Sequence, residues 1–167
     1  MSASTTKALS LAIVAAVWAA ISHLAKVKFE LWPVYVGLAC FVGAGGGMSG
    51  LQKSATSIVS GVVWALIYVA LANALDPGRP GIMSALALGV AVFGMVYQTR
   101  FHPLLGYTTG AIAGAATILG LKIGVATLTA GIKAAVPLLI GCALGIVAER
   151  IAEMLGKMRV VPAMSNR

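Results

Sequence analysis

The sequence predicts an all-α polytopic membrane protein, a single bundle of six transmembrane helices. Hydrophobic residues make up 60% of the 167 and charged residues 10%, against roughly 25% charged in a soluble domain. Charges and prolines divide the chain into six apolar runs, and a spanning helix needs about 20 such residues. The runs are apolar all round, so their surroundings must be apolar as well. Barrel strands would instead show short alternating segments.

The first run, residues 8–25, lies between Lys7 and Lys26. Lys7 alone is a weak signal-peptide n-region, and no small-x-small cleavage site follows, so the run reads as a retained helix. The second, 31–47, ends in a glycine cluster. The third, 54–75, is closed by Asp76-Pro77-Gly78-Arg79-Pro80, a strong turn signal. The fourth is 81–98, the fifth 103–121, and the sixth 134–148, continuing to Leu155 at the interface. Residues 122–133 are apolar between two lysines but too short to span. They read as a connection with some helix, with an extension of the fifth helix or a shallow re-entrant piece as alternatives. The domain is thus 1–155, followed by a basic tail at 156–167.

The formal net charge is +8, but the basic residues are scattered between apolar runs. There is no basic stripe and no stacking platform, so nucleic acid is excluded as a partner. Lys7, Lys53, Arg100, Arg150, Lys157, Arg159 and Arg167 fall on one side of a six-span topology. Lys26, Lys28, Arg79, Lys122 and Lys133 fall on the other. This asymmetry predicts both termini in the cytoplasm. Cys40 and Cys142 sit inside apolar runs as small packing residues.

Short matches suggest internal repetition. Val17-Trp18-Ala19 recurs as Val63-Trp64-Ala65. Ser60-Gly61 resembles Thr109-Gly110, with Gly45 and Gly94 at the same offset, and Pro33–Gly37 resembles Pro137–Gly141. Three related helical hairpins are the expectation, and repeated units often build a permeation route between them.

Three features bear on function. The first is the run Gly43, Gly45, Gly46, Gly47, Ser49, Gly50 and Lys53. So many glycines break a helix, leaving either a packed helix end or a pathway lining with exposed backbone. The second is the glycine ladder Gly106, Gly110 and Gly114, with Gly141 and Gly145 in the last run. Glycines four apart let helices approach closely, and such faces predict a homo-oligomer, most simply a dimer. The third is charge placement. Glu30, Asp76, Glu149 and Glu153 all fall at span ends, which argues against carboxylate-driven ion coupling. Lys53, Arg100 and His102 either ring a mouth that attracts anions or anchor helices on the positive side. No catalytic set, cofactor motif or metal-ligand spacing is present, so neither an enzyme nor a cofactor is expected.

Through Trp32-Pro-Val-Tyr-Val-Gly-Leu-Ala-Cys-Phe, Gly45-Gly-Gly-Met-Ser-Gly50-Leu and Ser60-Gly-Val-Val-Trp64-Ala, the chain resembles the domain-of-unknown-function family 1097. The resemblance implies small bacterial inner-membrane proteins of six helices. Trp32, Gly43-Ala44 and Gly50-Leu51-x-Lys53 also resemble the motif of the fusaric-acid-resistance and aluminium-activated malate-transporter superfamily. That likeness implies helical hairpins and organic-anion transport, with Lys53 at the basic position. The expected function is a channel or facilitative transporter for a small solute, an organic anion among the candidates. The alternative is an accessory protein binding partner helices through its glycine faces.

Overall fold

A computed structural model describes residues 3–26, 30–77 and 81–157. The described residues form six α-helices: α1 (Ala3–Leu24), α2 (Trp32–Gly43), α3 (Gly47–Leu75), α4 (Ile82–Tyr97), α5 (Thr108–Gly120) and α6 (Leu128–Lys157). Two short 3-10 turns, Gln98–Arg100 and Pro103–Leu105, join α4 to α5. The described residues contain no strand. Lys28, Arg79, Arg159, Arg167 and nearly all of the basic tail lie outside the described residues.

The helices match the six apolar runs in order, but they differ in length. Four are long and apolar enough to cross a bilayer: α1, α3, α4 with its 3-10 extension, and α6. Helix α2 has 12 residues and α5 has 13, or about 18–20 Å at 1.5 Å per residue, short of a core about 30 Å thick. Six helices are thus present in the expected order, and four of them have the length of full spans. Backbone geometry sets the limits. Pro33 fixes the start of α2, and Gly45, Gly46 and Gly47 end it with φ of 95°, 69° and 65°. Helix α5 begins after the Pro103 turn and stops before Lys122, at φ 52°. Residues 121–127 form a turn and an extended stretch, and 128–133 are the first turns of α6, in line with a connection that carries some helix.

The packing defines a repeat of three helices, where the sequence matches suggested hairpins. The two dominant helix pairs are α3 with α5 and α2 with α6. Next come α3 with α4 and α6 with α1, then α3 with α6. This order is unchanged if α1 is exchanged for α4, α2 for α5 and α3 for α6. The chain therefore consists of two halves, each built as α–short α–α. The short helix of each half lies on the last helix of the other.

Both short-helix contacts are made the same way. A methyl group on Gly37 would overlap the Leu138 carbonyl, and one on Gly141 would overlap the Val34 carbonyl. A methyl on Gly61 would likewise overlap the Ala111 carbonyl, and one on Gly114 the Ile58 carbonyl. Both crossings thus bring backbone against backbone, which only glycine permits. The Cys142 thiol donates to the Gly37 carbonyl at 3.3 Å across one of them. Burial agrees position by position: Pro33, Val34, Gly37, Cys40 and Phe41 of α2 match Gly110, Ala111, Gly114, Thr117 and Ile118 of α5.

The halves run in opposite directions. Gly131 lies against Val62 and Leu66, while Gly47 near the start of α3 meets Glu149 near the end of α6, so α3 and α6 are antiparallel. An odd number of alternating helices per half makes this the natural outcome, since the second half then begins at the opposite end of the bundle from the first. The Pro33–Gly37 and Pro137–Gly141 match therefore marks two helices that touch. Gly45 and Gly94 are not equivalent, since Gly45 is in a turn and Gly94 packs beneath the Trp64 ring.

The glycine ladders are used up inside the chain. Gly110, Gly114 and Gly141 face neighbouring backbone or side chains, and Gly145 lies against the Phe41 ring. Gly106 falls in the turn before α5 rather than on a helix face. The faces that suggested a dimer are covered within one chain, so that argument for a second copy lapses.

Candidate functional site

The candidate site is built from the turns that end the two short helices. After α2, the amides of Ala44, Gly45 and Gly46 donate to the carbonyls of Cys40, Val42 and Phe41 at 2.9, 3.1 and 3.2 Å. After α5, those of Leu121, Lys122 and Ile123 donate to Thr117, Leu119 and Ile118 at 2.9, 3.0 and 3.2 Å. The caps superimpose bond for bond, a pattern that satisfies the last helical carbonyls. Gly45 and Lys122 occupy the same position, each left-handed.

Beyond the caps the turns differ. Gly46 and Gly47 stay at positive φ and turn the chain straight into α3. The Gly47 amide then donates to both carboxylate oxygens of Glu149, at 3.0 and 2.8 Å. A carboxylate is favoured there because a helix N-terminus carries unpaired N–H groups and the positive end of the dipole. A methyl on Gly46 would overlap this carboxylate, so the glycine is what lets Glu149 approach. The turn after Lys122 instead runs on to Thr127 before α6 begins, and Asn73 Nδ2 donates to the Gly124 carbonyl at 2.8 Å.

Two cavities open beside this second turn. One, of about 360 Å³, is lined by residues that include Tyr68, Asn73, Asp76, Ser84 and Lys122. The other, of about 560 Å³, lies between the first turns of α2 and α6, with Glu30, Lys133, Pro33 and Pro137 in its wall. Both are within the range of small-molecule sites. Each has one carboxylate and one lysine in its wall, and the rest of the second cavity's lining is apolar. Asp76 also holds the first cavity in shape, because its Oδ2 accepts from the Gly81 and Ser84 amides at 3.0 and 2.7 Å and so caps α4.

The residues singled out in the sequence lie at the other end of α3. Gly43 closes α2 beneath the Tyr107 hydroxyl. Ser49 and Lys53 are exposed on the first turns of α3, and Gly50 is buried there. Arg100 is exposed, its guanidinium 5.5 Å from the Tyr97 ring centroid, and His102 Nδ1 accepts from the Leu104 amide at 3.2 Å. The connection carrying them is fastened to α3. The Thr56 and Ser57 hydroxyls lie 2.9 and 3.1 Å from the Leu104 carbonyl, and Gln98 Oε1 accepts from Ser60 and from Trp64 Nε1. Lys53, Arg100 and His102 thus share one face of the protein. The two cavities belong to the opposite face, with Asn73, Lys122 and Lys133, none of which the sequence marks as a site residue.

Residues 8–153 match the family described as "Protein of unknown function (DUF1097)". The chain belongs to the DUF1097 family. The match takes in all or most of every helix, so the two inverted halves and both crossings lie within the DUF1097 region. No curated protein and no solved structure matches the chain. One signal for the repeat was present in the sequence. Gly-x-Ala-x-x-Val-Gly at 37–43 returns as Gly-x-Ala-x-x-Leu-Gly at 114–120, and these segments are the equivalent stretches of α2 and α5.

Proposed function

We propose that this protein carries a small polar solute across the bacterial cytoplasmic membrane, with both termini and the Gly47–Glu149 face in the cytoplasm. One observation carries the reading: two oppositely directed halves meet through short helices, with cavities beside the end of one short helix and the start of the other. Inverted repeats with interrupted or shortened helices are a recurrent way to place a solute route at the boundary between halves.

The cavity walls favour a small solute bearing a carboxylate. Lys122 and Lys133 supply one cation to each wall, and Asn73, Tyr68 and Ser84 add neutral polar groups to one of them. Asp76 and Glu30 make zwitterions as suitable as simple organic acids. The accessory-subunit reading loses its main support, since the glycine faces it needs are packed within the chain.

The test is uptake into proteoliposomes of purified protein, using labelled small organic acids, amino acids and simple amides. The expected result is flux above empty vesicles for at least one carboxylate-bearing solute. Lys122→Gln and Lys133→Gln should reduce it without loss of folded protein. Vesicles that stay impermeable to the whole panel would overturn the proposal.

A further inference from the structure

We infer that the Gly47–Glu149 face holds closed counterparts of the two open cavities, and that the protein works by exchanging which face is open, with Glu149 on the Gly47 amide as the latch. The inference rests on the permeation reading for its purpose. Its geometry rests on the repeat.

Equivalence is read from burial. In α3, Ser54, Ser57, Ile58, Gly61, Val62 and Ala65 are buried. In α6, Ala134, Pro137, Leu138, Gly141, Cys142 and Gly145 are buried in the same spacing. This register places Lys53 at the position of Lys133 and Glu149 at that of Val69. The caps place Gly45 at the position of Lys122.

Each open cavity can therefore be carried to the other face. The wall made by Val69 and the turn at Lys122 maps onto Glu149 and the turn at Gly45. There the space is taken by the Glu149 side chain, drawn onto the Gly47 amide. The hollow beside Pro137 and Lys133 maps onto Ser57 and Lys53. There the Leu104 carbonyl fills it, held by the Ser57 hydroxyl and next to that of Thr56. The same framework is thus open on one face and closed on the other by named polar contacts.

Two nearly equivalent halves held in different conformations imply a second state in which they trade roles. A symmetric exchange changes few contacts in kind, so the two states are close in free energy. A single latch can then bias the balance. In the exchanged state Glu149 leaves Gly47, the connection at Leu104 lifts off Ser57, and the turn at Lys122 closes over Asn73 and Asp76. The glycine-rich run and Lys53 then become the lining of the second opening.

The experiment is labelling of single added cysteines by a membrane-impermeant maleimide in proteoliposomes, with each face addressed separately. The native Cys40 and Cys142 are buried and serve as the background. Ala72→Cys reports the open cavity, whose wall it lines half-buried, and Ser57→Cys, fully buried, the closed face. Ala72→Cys should label readily and Ser57→Cys poorly. Adding Glu149→Ala should speed labelling at 57 and slow it at 72, each by about fivefold or more, because releasing the latch shifts a two-state balance. If Glu149→Ala impairs folding, Thr56→Val removes a hydroxyl beside Leu104 and should give the same reciprocal change, smaller in size. A gain at 57 with no loss at 72 would mean local fraying and would overturn the exchange, as would no change at either site. Uptake measured on the same vesicles separates the two ideas. Reciprocal labelling without uptake of any solute supports the exchange and contradicts permeation. Uptake without reciprocity contradicts the exchange.

Discussion

The turn after α2 and the turn after α5 begin alike and end differently. Each closes its helix with the same three backbone hydrogen bonds and the same left-handed residue. The first then uses two more left-handed glycines to enter α3 at once, and a carboxylate from α6 docks on the new helix. The second leaves the left-handed region at Ile123, continues to Thr127, and has cavities on either side. The lesson is that a shared cap does not set the state of the face behind it. The residues immediately beyond the cap do, by deciding whether an opposing side chain can reach the next helix.

The largest expected effect tests whether the halves are equivalent at all. Valine at Gly37, Gly61, Gly114 or Gly141 would drive side-chain atoms into a facing carbonyl. Each should cost at least about 3 kcal/mol, at or beyond the upper end of ordinary overpacking, because the obstruction is backbone. Thermal unfolding of the purified protein should show similar losses at Gly37 and Gly114, and at Gly61 and Gly141. Gly89→Val on α4, where the added atom meets open space, should be tolerated. Strong damage in one half and none in the other would break the comparison.

A smaller effect separates the two turns. Gly46→Ala combines a left-handed backbone with displacement of Glu149 and should cost about 2 kcal/mol. Gly45→Ala lacks the second penalty and should cost about 1 kcal/mol. Its counterpart reads the same position from the other side: Lys122→Gly should leave stability unchanged or raise it by up to about 1 kcal/mol. Melting temperatures of these three variants order them directly. A Gly46→Ala protein no less stable than Gly45→Ala would remove Glu149 from the account.

The smallest concerns the cap that shapes one cavity. Asp76→Ala should destabilise α4 by about 1 kcal/mol, the usual loss for an N-terminal cap, and should lower uptake more than it lowers the melting temperature would suggest. An unchanged melting curve would show that the Gly81 and Ser84 amides find other partners.

Much of the fold was legible from hydropathy. Six apolar runs became six helices, because lipid leaves the backbone no other partner. The lengths of α2 and α5 were not, since hydropathy does not register a left-handed turn: Leu121 is as apolar as its neighbours, yet the chain reverses at Lys122. The repeat was partly legible. Gly37–Gly43 and Gly114–Gly120 carry it, but tandem matches such as Val17–Ala19 with Val63–Ala65 draw attention to hairpins, and sequence gives no direction of insertion. Lys53 and the glycine run were picked out by composition. Asn73 and Lys122 were not, because ordinary residues become a cavity wall only through the opposite half.

The central claim is that two oppositely oriented three-helix halves exchange their short helices. A cryo-EM structure in lipid nanodiscs tests it most directly. The account predicts that residues 32–43 with 47–67 superimpose on 109–120 with 127–147, and that Gly37 lies on Leu138 and Gly61 on Ala111. Short helices packed against the long helix of their own half, with these glycines turned toward lipid, would contradict it.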